Sequence, residues 1–197
     1  MSGNRKDGEL PKDERNIIAL GMMETHSVAL GIEAADAMGK VADVELLMSH
    51  TACPGKYLTL LGGEVAAVRA AVEEGERVAG DSFVDRFILP NPHPQIFPAL
   101  AATTMPEELD ALGIIETFSA ASTVVAADTA AKAAEVTLLA LRLAVGLGGK
   151  SYVLLTGEVS AVRSAVEAGG RGAAEEGLLL AKVVIPAPLS RLYSHLL

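Results

Sequence analysis

From residue 17 onward the chain alternates apolar and polar positions in runs that read as short elements. Residues 17–24 form a brief apolar stretch of strand character. Ser27 then stands where a helix cap is expected, and Val28, Ile32 and Ala35 recur at helical spacing up to Lys40. Residues 44–51 alternate as a strand, Cys53-Pro54-Gly55 marks a turn, and residues 57–61 read as the returning strand. Glu64 opens a second helix, with Val65, Val68 and Val72 on one face and Arg69 four residues before Glu73 on the other. Residues 83–89 read as a last strand, and the proline-rich NPHPQIFP leads into a short terminal helix.

The same pattern starts again near residue 111. ALGMMETHSVALGIEAADAMGKVADV, from Ala19, and ALGIIETFSAASTVVAADTAAKAAEV, from Ala111, agree at 13 of 26 positions without a gap. GEVAAVRAAVEEG from Gly63 likewise matches GEVSAVRSAVEAG from Gly157, so the second copy is two residues longer between the blocks. The extra residues fall in the turn that holds Cys53 in the first copy. The matches include Glu24 with Glu116, Asp36 with Asp128, Lys40 with Lys132 and Arg69 with Arg163, which compositional chance does not explain. Duplication does, and each copy is expected to fold into the same unit. The predicted architecture is α+β: two tandem ferredoxin-like β-α-β-β-α-β units, each an antiparallel sheet with helices on one side. We expect a polar leader over 1–16, a first domain over 17–104 and a second over 105–197. This topology hosts many functions and selects none.

Composition narrows the classes. The net charge is −9 with no Lys/Arg cluster, which argues against a nucleic-acid partner. The leader is polar throughout and lacks a signal-peptide core, and the most apolar stretch, 136–145, is interrupted by Arg142 and too short for a membrane span. A cytoplasmic protein with no membrane partner is expected. No nucleophile–base pair stands out. Glu24, Glu116, Asp36 and Asp128 recur in both halves as scaffold residues do. The glycine pairs Gly62-Gly63 and Gly148-Gly149 lack a phosphate-loop or dinucleotide fingerprint. An enzyme is not expected.

One cysteine, Cys53 in SHTACPGK, serves 197 residues. Alone it forms neither an internal disulfide nor a metal cluster. His50 precedes it by three positions, a spacing that metal pairs use, but it ends a strand and is expected to point away from the turn. His26, His93 and His195 have no partner spacing.

The segments ALGMMETHSVALGIEAADAMGK, TACPGKYLTLLGGEVAAV and GLGGKSYVLLTGEVSAV resemble bacterial microcompartment shell proteins of the tandem-domain type. Within that class, CPGK in the first copy and GLGGK in the second are similar to the propanediol-utilisation shell proteins that carry an iron–sulfur centre. The resemblance covers about residue 17 to 197. It implies a homotrimer imitating a hexamer, tiled with other shell proteins into a coat around enzymes. It places Thr51, Ala52, Cys53, Pro54, Gly55 and Lys56 at a central pore, with Gly146, Leu147, Gly148 and Gly149 interleaved.

A threefold axis would turn one cysteine into three facing thiolates. The implied cofactor is a 4Fe-4S cluster with three Cys53 ligands and a non-protein ligand on the fourth iron. It would serve electron transfer or cluster storage, with an encapsulated or external redox enzyme as partner, and Lys56 would offset its charge. Zinc on three thiolates, a cluster-free pore passing small metabolites, and a small-molecule-binding regulatory protein with ferredoxin-like repeats stay open as alternatives. Lys40 and Lys132 are implied tile-edge contacts, against the plain reading of lysines favoured at helix C-termini. The family's edge arginine is replaced in both copies, which read NPH (Asn91-Pro92-His93) and APL (Ala187-Pro188-Leu189).

Overall fold

A computed structural model describes residues 17–104, 110–193 and 195–196. The leader expected over 1–16 lies outside the described residues. The first unit runs β1 (Ala19–Thr25), α1 (Val28–Val41), β2 (Val44–Ala52), β3 (Lys56–Gly63), α2 (Val65–Ala79), β4 (Phe83–Pro90) and α3 (Ile96–Ala101). The second repeats it as β5 (Ala111–Thr117), α4 (Ala120–Ala133), β6 (Thr137–Leu143), β7 (Ser151–Gly157), α5 (Val159–Glu175), β8 (Leu179–Ile185) and α6 (Ser190–Tyr193). The sheets order as β2-β3-β1-β4 and β6-β7-β5-β8, antiparallel throughout. Even the irregularities repeat: β2 slips against β3 between Leu46 and Met48, and β6 slips against β7 between Leu138 and Ala140.

Local chemistry accounts for the helix starts. Ser27 Oγ accepts the Leu30 N–H, and Ser119 Oγ accepts the Ser122 N–H, so both first helices begin at a serine cap. The second helices begin after Glu64 and Glu158, but only Glu158 turns its carboxylate onto the backbone, at Ser160 and Ala161.

The inward face of α1 differs from the one its apolar spacing predicts. Gly31, Ala34, Ala35 and Met38 are buried, while Ile32 is 51% exposed. Small residues win the inward face because the sheet needs the room. A Cβ on Gly31 would lie 2.6 Å from the Tyr57 Cβ. The charge pair expected between Arg69 and Glu73 is not among the ion pairs of the described residues; on α2, Arg77 pairs with Glu74 and Glu76 with Arg86 of β4.

The two units share one core. Leu20, Met22, Leu58 and Leu60 of the first sheet join Ile115, Val124, Leu138 and Leu155 of the second unit in a continuous apolar cluster that contains Ile96 and Ala99 of α3. Helix α3 therefore couples the first unit to the second. Gln95, just before it, donates from Nε2 to Val136 O (3.1 Å) and accepts the Leu138 N–H at Oε1 (2.7 Å), completing the free edge of β6.

Helices α4 and α5 pack closely. A Cβ on Gly169 would sit 2.5 Å from the backbone oxygen of Ala126, whereas Gly172, one turn on, faces open space. Gly169→Ala is therefore expected to destabilise the protein by about 2–3 kcal/mol through overpacking. Gly172→Ala should stabilise it by up to about 1 kcal/mol through helix propensity. Urea unfolding of the two variants beside wild type reads both signs.

Candidate functional site

Two turns meet at one end of the sheets. The first is Cys53-Pro54-Gly55 between β2 and β3, with Gly55 at φ 72°. The second spans residues 144–150 between β6 and β7, and holds Ala144, Gly146, Gly148 and Gly149 at φ 54°, 70°, 63° and 87°. Three of these four left-handed residues are glycines, the residue that adopts that region without a Cβ penalty.

The turns touch directly. The Cys53 N–H donates to Ala144 O at 2.8 Å. A Cβ on Gly149 would lie 3.2 Å from Cys53 O and 3.4 Å from Pro54 Cδ. Of the residues expected to line a pore, Cys53, Pro54 and Gly149 are thus brought together, whereas Gly146 and Gly148 have only open space where a Cβ would be. Thr51, Pro54 and Gly55 are exposed, Ala52 is buried, and Cys53, Lys56 and Leu147 are half-buried.

Cys53 is a free thiol. Among the described residues no three His, Cys, Asp or Glu side chains gather as a metal site. Nδ1 of His50 donates to its neighbour's carbonyl, Thr51 O, at 2.9 Å. Lys56 reaches back to the buried carboxylate of Glu24 at 3.0 Å. Lys150 makes the corresponding pair with Glu116 at 3.3 Å. The sequence shows these lysines and glutamates as matched positions; that they pair across β1/β3 and β5/β7 needed the fold.

Lys40 and Lys132 differ sharply in their surroundings. Lys132 Nζ donates to Asp128 Oδ2 and to Asn91 O, both at 2.7 Å. Asp128 also accepts the His93 N–H at 2.7 Å, and its side chain is 7% exposed. The segment Asn91-Pro92-His93 is therefore seated on the end of α4. Lys40 pairs with Asp36 at 2.5 Å, but that carboxylate is 60% exposed, and among the described residues no segment is seated on it as Asn91-Pro92-His93 is on Asp128. Sequence reasoning missed Gln95 and the docking role of Asp128, since a lone glutamine or a matched aspartate carries no distinguishing pattern.

Elsewhere, His26 shares a hydrogen bond with Ser82 Oγ. The carboxyls held below the usual range lie on the surface, Glu74 by the Arg77 hydrogen bond, Glu158 by Ser160 and Glu167 by Lys182.

Tandem α+β units docked side by side, with their β-hairpin turns in contact, define a tandem-domain module. The family model described as the BMC domain matches residues 19–92 and again 111–188, and the chain belongs to that family. It is a bacterial microcompartment shell protein. It is 46% identical to the bacterial microcompartment shell protein PduT of Citrobacter freundii over 170 residues, 86% of this chain and 92% of that protein. A crystal structure of a microcompartment protein from Desulfitobacterium hafniense shares 52% identity with a TM-score of 0.86, covering 89% of this chain and 98% of that one. The carboxysome shell protein CsoS1C of Hydrogenovibrio crunogenus is 46% identical over 88 residues, which is 43% of this chain but 85% of that protein, as expected of a relative with a single copy. No helix among the described residues is long and apolar enough to cross a membrane.

Gly149 emerges as the residue that lets the second turn close on the first. Gly149→Ala is expected to cost about 1–2 kcal/mol, from its left-handed backbone and the crowding at Cys53 O. It should also alter the rate at which a neutral maleimide alkylates Cys53. Gly148→Ala, strained but uncrowded, should leave that rate unchanged. Thiol kinetics on both variants check the contrast.

Proposed function

We propose that the protein is a homotrimeric shell tile whose central pore gathers one Cys53 from each chain around a 4Fe-4S cluster. The observation that carries the assembly is an interface half-used within the chain. Val124 on α4 and Leu138 on β6 are fully buried, while their counterparts Ile32 and Leu46 in the first domain are 51% and 53% exposed. Ile96 of α3 is likewise buried, while its counterpart Leu192 of α6 is 38% exposed.

The first domain covers the second, and among the described residues nothing covers the first. A second copy whose β8 and α6 dock on α1 and β2 repeats the intrachain contact, with its Ala187-Pro188-Leu189 seated on Asp36 and Lys40. Such an interface is heterologous and closes into a ring. Three chains give six domains, with the Cys53 and Gly149 turns alternating about the axis. Lys40 and Lys132 then fall at domain junctions, where neighbouring tiles of the coat meet.

One thiolate per chain does not hold a cluster, but three on an axis match three irons, leaving the fourth to a non-protein ligand. Such a group supplies one-electron transfer across the shell, or a labile store of cluster, for a redox enzyme on either side. Lys56, which also pairs with Glu24, and backbone N–H groups would together meet the charge of the cluster. The tile itself is structural and makes no bonds in a substrate. A cluster-free pore that passes small metabolites is the second reading, favoured by the absence, among the described residues, of any group of three His, Cys, Asp or Glu side chains that could hold a metal.

Anaerobic purification after co-expression with iron–sulfur assembly machinery, with Cys53→Ser alongside, tests the proposal. A brown protein with about four irons per three chains, colourless in the variant at unchanged mass, is the expected result. A colourless trimer would leave the metabolite pore. A species of any other mass would point to the regulatory-protein alternative.

A further inference from the structure

Beside the two turns, a pocket of about 350 Å³ opens where the domains meet. His50 of β2 and Leu100 of α3 line it from the first domain; Arg142 of β6, Tyr152 of β7, and Val145 and Leu147 of the second turn line it from the other. The volume falls in the range of small-molecule sites, and the lining has their character: mostly aliphatic, with a few convergent polar groups.

The sign of those polar groups sets the ligand class. Arg142, Tyr152 and His50 all line the pocket and no carboxylate does, in a chain of net charge −9. Arg142 has a contact of its own, but a guanidinium presents five N–H donors, so one partner does not exhaust it. His50 has its Nδ1–H tied to Thr51 O, so Nε2 of the neutral ring is an acceptor and the donors left for an anion are those of Arg142 and Tyr152. His50 and Arg142 also stand at corresponding places, opposite Leu58 on β3 and opposite Tyr152 on β7. The duplication has therefore put two basic side chains of the same strand position into one cleft. Val145 and Leu147 belong to the loop that packs on Cys53, so whatever fills the pocket touches the loop that positions the thiol.

We propose that this pocket binds a small organic anion, its carboxylate or phosphate head taken by Arg142 and Tyr152 and a short aliphatic tail lying against Leu100, Val145 and Leu147. The site is complete within one chain and does not depend on the trimer or on a cluster.

Isothermal titration calorimetry of the full chain with butyrate, butyl phosphate, inorganic phosphate and butylamine tests it. Saturable binding of butyrate or butyl phosphate, and none of butylamine, is expected; the tighter of the two anions identifies the head group. Arg142→Gln should weaken that binding about tenfold or more, the usual worth of a charge-assisted hydrogen bond. Val145→Asp, at a position 63% exposed and so safe for folding, should abolish it by placing a carboxylate in the lining. Absence of saturable binding by either anion, equal binding of butylamine, or unchanged affinity in both variants would overturn the site. Inorganic phosphate binding as tightly as butyl phosphate would overturn the part assigned to the tail.

Discussion

The carboxylate of Asp128 accepts the His93 N–H and the Lys132 ammonium in a nearly closed environment, and on that contact the rest of the chain is arranged. It seats the end of the first domain on the second. Gln95 then reaches the open edge of β6, and Ile96 and Ala99 join the core that runs through both domains. A buried carboxylate tolerates its surroundings only when its lone pairs are met, so the seat and the burial of Asp128 require each other. The same docking brings Cys53 N–H to Ala144 O and lets Gly149 close on Cys53. Position of the thiol is thus a consequence of how the domains dock.

Duplication also supplies an internal control. Where the second domain is covered, its residues are apolar and buried; where the first is uncovered, the same positions remain apolar. Ile32 and Leu46 lie in water in the isolated chain at a cost of roughly 1–2 kcal/mol each relative to burial. Asp36 keeps Lys40 as a partner while its other acceptor sites face solvent. A surface apolar at the places where its twin is buried is complementary to the twin's partner. That partner surface, β8 with α6, stands open at the other end of the chain with Val183 and Leu192 exposed.

Much of this was legible in the sequence. The duplication, the β-α-β-β-α-β order, the Ser27 cap and the Cys53-Pro54-Gly55 turn all rest on local chemistry, which a sequence displays directly. The inward face of α1 was not legible, because Gly31 answers the bulk of Tyr57, a residue distant in sequence. Nor was the fate of Lys56, since its pairing with Glu24 depends on strand register. The role of Gln95 and the pocket between His50 and Arg142 arise only when two domains are set side by side. Cys53 itself was conspicuous as the lone cysteine, but its crowding by Gly149 belongs to tertiary structure.

The proposed trimer depends on the intrachain contact being repeated between chains. Sedimentation equilibrium of Ile32→Arg beside wild type and Glu33→Arg measures this directly. Ile32 is the exposed twin of a buried valine, and Glu33 is its exposed neighbour on α1. Wild type and Glu33→Arg at the mass of three chains, with Ile32→Arg folded but at the mass of one, is the outcome the account requires. A trimer undisturbed by Ile32→Arg, or a wild type at the mass of one chain, would contradict it.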